Sequence, residues 1–181
     1  GRDVYRNVVV PIPVAARRFV RAIEFLPGNA RVMHHAFINI DETGQSRRLA
    51  ERQNPPGFDG MDLPDSAVMP GGQLLGWQPG KTPRPSPPGL NWMLKPNTDL
   101  VLQMHLHPSG KPESVQPSVG FYFSDQTPTN MPFRVKLAKF DFAIPPGEAN
   151  YVVEQSYTTP VDLRLIAVLP HAHYLGKRLE A

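Results

Sequence analysis

Apolar and polar residues alternate in short runs along this chain, and the alternation predicts strands. The run at 99–107 is the clearest: Leu102, Met104 and Leu106 fall on one side, and Val101, Gln103, His105 and His107 on the other. It predicts a half-buried strand with an apolar face toward a core and a polar face able to carry ligands. Similar runs predict strands at 3–13, 19–25, 31–40, 119–123, 133–142, 151–157 and 163–169. Turn signals separate them: Leu26-Pro-Gly-Asn29, Asp41-Glu-Thr-Gly44, Pro108-Ser-Gly-Lys-Pro112 and Ile144-Pro-Pro-Gly-Glu148. A charged stretch at 45–53 predicts a short helix. Residues 54–91 are rich in proline and glycine and predict a long irregular segment, which in a compact domain is usually a functional or covering loop. The expected fold is all-β, an antiparallel sandwich or barrel.

Composition agrees with short strands. The 181 residues include 22 prolines and 14 glycines, which disfavour long helices, and 40% are hydrophobic, which excludes a disordered chain. The net charge of +3 comes from spread lysines and arginines, with no basic run to suggest a nucleic-acid groove. No apolar run is long enough to be a transmembrane helix. The chain opens at Gly1 and stops at Ala181 inside an apparently continuing strand, so it is expected to be a piece of a longer protein, and a missing targeting signal carries no weight.

The chain has no cysteine, so thiolate catalysis, disulfides and cysteine-held metals are excluded. Its six histidines fall in three pairs: His34-His35, His105 with His107, and His171 with His173. Residues two apart on a strand share a face, so His171 and His173 can offer two imidazoles to one ion. His34 and His35 point to opposite faces of a regular strand. Both can reach one ion only if the strand twists or bulges there, or if they use different ring nitrogens; otherwise one is a ligand and the other a core histidine. Imidazole suits copper and zinc, with copper the tighter. Asp59, Asp62 and Asp65 lack the spacing of an EF-hand. The His-x-His lacks the early following carboxylate of a cupin, since Glu180 comes too late. His-Glu-x-x-His and Gly-x-Ser-x-Gly are absent.

In order along the chain, several segments resemble the copper type II, ascorbate-dependent monooxygenases. They are Asp3-x-Tyr5 with its strand ending in proline, Val32-Met-His34-His35 after Phe25-Leu-Pro27, Val101-Leu-Gln103-Met-His105, Ile144-Pro-Pro-Gly-Glu148, and His171-Ala-His173-Tyr-Leu-Gly-Lys177. The loops and the lack of cysteine look more like bacterial relatives. The resemblance implies two jelly-roll-like sandwiches, a first domain over 1–137 and the beginning of a second over 138–181. It implies one copper held by His34, His35 and His105 for electron transfer, and a second held by the catalytic His171 and His173. It further implies hydroxylation of a C–H bond of a small organic substrate with O2, with electrons from ascorbate or another donor, in a periplasmic or secreted setting. By the same resemblance Gln103 and Tyr5 are expected beside the first site, with plain packing as the alternative; His107 has no counterpart in the family, shares a face with His105, and is expected either beside that site or at the surface.

There are departures. The family's second copper takes a methionine after His-x-His; Met33, Met61, Met69, Met93, Met104 and Met131 all precede it, so this ligand is expected beyond residue 181. Leu169 stands where the animal enzymes tend to carry arginine, which disfavours recognition of a peptide acid. A copper-binding or electron-transfer module without chemistry of its own is the alternative.

Overall fold

A computed structural model describes residues 2–172 and 175–181. They divide into two compact units, 1–134 and 135–181. The first holds eight strands: Val4–Pro11 (β1), Arg18–Leu26 (β2), Met33–Asp41 (β3), Phe58–Asp59 (β4), Gly76–Trp77 (β5), Trp92–Leu94 (β6), Asp99–Leu106 (β7) and Ser118–Ser124 (β8). One short helix, Gln45–Ala50 (α1), and a 3-10 turn at Pro70–Gly72 complete it. All pairings are antiparallel. One sheet has the order β4-β1-β7-β3-β5, the other β6-β2-β8. The chain is therefore an all-β antiparallel sandwich, and no described helix is long and apolar enough to cross a membrane.

The core lies between the sheets. Leu100, Leu102 and Met104 of β7 join Ala36, Ile38 and Ile40 of β3, and meet Val20 and Phe25 of β2 and Trp92 and Leu94 of β6. Alternation directs the β7 and β3 residues inward; Val20 and Phe25 fall on opposite sides of a regular strand and both reach the core because the β2 register shifts between Val20 and Ala22. Ile38→Val is expected to cost about 0.5–1.5 kcal/mol, because a buried methylene is lost from a packed interior; urea denaturation reads it. The β2–β3 turn needs its glycine: Gly28 has φ +70°, and a Cβ there would collide with the Gln116 carbonyl.

The opposite face of β7 is only partly polar. Val101 is fully buried, and so is Asn7 on β1, whose side-chain amide donates to the Phe58 and Gly60 carbonyls. Helix α1 packs over β1 and β7 on this side. Two buried carboxylates hold it there. Asp41 Oδ1 accepts from the Thr43 backbone N–H and hydroxyl, both at 2.7 Å, and Oδ2 accepts from the Ser46 N–H at 2.7 Å and the Ser66 hydroxyl at 3.0 Å. Asp99 is paired with the Arg47 guanidinium. The expected polar face is thus covered at the Asp99 end, and the ligand-capable part is confined to the His105 end.

Residues 135–181 form a unit without a strand or helix among the described residues. The strands expected at 133–142, 151–157 and 163–169 are not formed. Alternation shows which residues would share a face, but a strand exists only when its backbone N–H and C=O groups pair with a neighbour. A unit this small buries too little apolar surface to hold unpaired segments extended, and Phe140 and Leu165 remain 82% and 79% exposed.

Candidate metal centre

The centre is built where β3 begins. Met33 pairs with Leu106 and His35 pairs with His105, so one residue of β3, His34, has no counterpart on β7. This is a β-bulge. It breaks the alternation that would send adjacent histidines to opposite faces. The ladder resumes beyond it, where the His107 N–H donates to the Val32 carbonyl at 2.8 Å.

His34, His35 and His105 come together. The His34 Nδ1 is 3.0 Å from the His35 Nδ1 and 3.1 Å from the His105 Nδ1. His105 is buried, His35 half-buried and His34 exposed, so the cluster opens to solvent on one side. Loss of solvent around His34, and then the nearby His107 and His105, lower its pKa, which favours the neutral imidazole a metal requires.

The remaining site residues frame His105. Tyr5 lies opposite it in the β1–β7 register and stacks on its ring, with centroids 4.2 Å apart and planes 12° from parallel. The His107 ring lies 4.4 Å from that of His34. Gln103, expected beside the centre, donates its amide to the Met61 carbonyl at 2.8 Å and so ties the 58–61 segment to the sheet. His171 is exposed in the second unit; His173 lies outside the described residues.

Sequence reasoning passed over Asp3. Its Oδ2 is 3.0 Å from His105 Nε2 and its Oδ1 is 2.8 Å from His107 Nδ1. Hydrogen bonds from His107 and then His105 hold the Asp3 carboxyl below its ordinary pKa, so it is ionised at neutral pH. The signal was present: Asp3 and Tyr5 are two apart on a strand, as are His105 and His107, and antiparallel pairing of Tyr5 with His105 brings Asp3 to His107.

The donor set fits a metal ion. Two nitrogens each about 2.0–2.1 Å from one ion and roughly at right angles stand about 3 Å apart, which matches both Nδ1 separations. Among the described residues a second group, Asp3 with His105 and His107, also places three donor atoms together. The cleft of about 610 Å³ between the proline-rich segment and β8, lined by Arg21, Ser86, Asn91, Phe123 and Asp125 among others, includes no described histidine. Comparison with family models, curated proteins and solved structures found no match.

Proposed function

We propose that the chain is the copper-binding part of a monooxygenase that hydroxylates a C–H bond of a small organic substrate with O2 and a one-electron donor such as ascorbate. The observation that carries the reading is the convergence of three imidazole Nδ1 atoms on a bulged strand. An all-nitrogen set suits copper or zinc, of which copper binds such donors the more tightly. When bound, copper supplies one-electron redox chemistry. The chain's part at this site is to hold three neutral imidazoles and to leave His34 open to solvent, where a donor can approach. In this reading His171 and His173 hold the second, catalytic copper, completed by a methionine beyond residue 181, within jelly-roll-like domains of a periplasmic or secreted protein.

One observation favours the alternative of a copper-binding or electron-transfer module: His34, His35, His105, Tyr5 and Asp3 all belong to the unit 1–134, so the first centre needs no residue from elsewhere.

Metal analysis with EPR of the Cu(II)-loaded chain tests the centre. One tightly held type 2 copper per chain is the expected result. No bound copper, or zinc held equally well, would overturn it. Ascorbate-driven O2 consumption that depends on His171 would support the enzyme; its absence from a longer chain carrying the missing methionine would leave the module.

A further inference from the structure

We infer that Asp3 is a positioning residue for the metal centre: its carboxylate fixes the ring tautomer of His105, and His107 holds that carboxylate in place. This rests on the copper-centre reading above. An ionised carboxylate only accepts hydrogen bonds, so at 3.0 Å from Asp3 Oδ2 the His105 Nε2 must carry the proton. The lone pair is then on Nδ1, the atom that faces His34 and the cluster. A free imidazole divides its proton between the two nitrogens; here one arrangement is selected before any ion arrives.

The second carboxylate oxygen is also engaged. His107 Nδ1 donates to Asp3 Oδ1 at 2.8 Å, so the carboxylate is gripped at both oxygens. Tyr5 fixes the plane of the His105 ring by stacking, which leaves Asp3 to set which nitrogen is protonated. The order is His107, Asp3, His105, metal. The two links through Asp3 are side-chain contacts between the residue just before β1 and His105 and His107 at and just past the end of β7, more than a hundred residues apart in sequence. A negative charge on the far side of a ligating ring also raises its basicity, which favours Cu(II) over Cu(I). Asp3 is 45% exposed at its side chain, so its truncation leaves the core untouched.

Two readouts test this on the whole chain. The first needs no metal: ¹⁵N NMR of histidine-labelled apo protein. His105 is expected in a single Nε2–H form in the wild type and in a mixture in Asp3→Ala. The second is Cu(II) affinity, expected to fall about 10–100-fold in Asp3→Ala, with a higher reduction potential and an unchanged circular dichroism spectrum. Asp3→Asn, which keeps an acceptor without the charge, is expected to restore the tautomer but not the potential. His107→Ala is expected to weaken copper less than Asp3→Ala does. An unchanged tautomer and affinity in Asp3→Ala would overturn the inference. So would two coppers per chain, one of them lost in both Asp3→Ala and His107→Ala, because Asp3 would then be a ligand. Copper binding indifferent to His105→Ala would instead remove the metal-centre reading, while the NMR result would still decide what Asp3 does to the ring.

Discussion

On the copper-centre proposal, His105→Ala is expected to abolish tight copper binding by the chain while leaving it folded. The substitution removes one of three nitrogen donors and unpairs the contact at 3.1 Å that brings His34 toward it. It also takes away the ring on which Tyr5 stacks and the proton that Asp3 accepts. The loss in affinity should exceed the roughly 10–100-fold that removal of an outer partner costs, since a ligand itself is gone. The fold should survive. His105 points away from the core, and its β7 neighbours Leu102 and Met104 keep their packing. Loss of the stack and of one charged hydrogen bond amounts to about 1–3 kcal/mol. Copper per chain by metal analysis, beside the thermal melting curve, separates the two effects. A variant that melts lower and still holds one copper would exclude His105 as a ligand.

The second large effect concerns Asp41 and is one of stability. Its carboxylate is fully buried and accepts four hydrogen bonds, from Thr43, Ser46 and Ser66, which join the end of β3 to α1 and the following loop. Burial alone would raise its pKa; the donors of Ser46 and Thr43 outweigh it and hold the pKa well below the usual carboxylate range. Asp41→Asn replaces one acceptor oxygen with a donor facing other donors and is expected to cost on the order of 3 kcal/mol. The pH dependence has a definite sign. The native pKa lies below the unfolded value of about 3.9, so the Asp41 contribution is complete above about pH 4 and is lost as pH falls below that toward the native value. The gap in melting temperature between wild type and variant should be constant from pH 7 to about pH 5 and close on further acidification. A gap independent of pH down to the acid limit would mean that the Asp41 charge contributes nothing.

Alternation located the strands that pair over many residues. β3, β7 and β8 fall where apolar residues recur at every second position, because each turns one face to the core. β1 and β2 depart from that period: Val4 and Val10 are 43% and 44% exposed while Asn7 is buried, and a register shift between Val20 and Ala22 brings Val20 and Phe25 to one side. β4, β5 and β6 have two or three residues and lie within or at the end of the proline- and glycine-rich segment. Two residues carry no period, and their pairing is decided by the neighbouring strand rather than by their own pattern. The segments after residue 132 show the reverse failure: the period is present, but nothing among the described residues pairs with them.

The site was legible as a set of residue types and less so as a geometry. Histidine pairs marked the metal-binding candidates, but whether His34 and His35 could share an ion depended on a bulge, which has no composition of its own. The framing residues divided in the same way. Tyr5 is where its strand register places it. Gln103 is on the expected face, yet its amide is drawn to the Met61 carbonyl, an acceptor supplied by a loop whose path no period describes.

The bulge at His34 also governs how this chain tolerates change in length. From Ala36 onward β3 keeps Ala36, Ile38 and Ile40 inward, while Met33 before the bulge is buried as well. Deleting His34 would leave Met33, His35 and Ala36 in unbroken register with Leu106, His105 and Met104, so Met33 and the inward row stay in phase; regular pairing with His34 retained would put them out of phase. The extra residue is therefore dispensable to the sheet: the loss of this single codon would keep the core faces of β3 and remove only the imidazole that stands beside both His35 and His105.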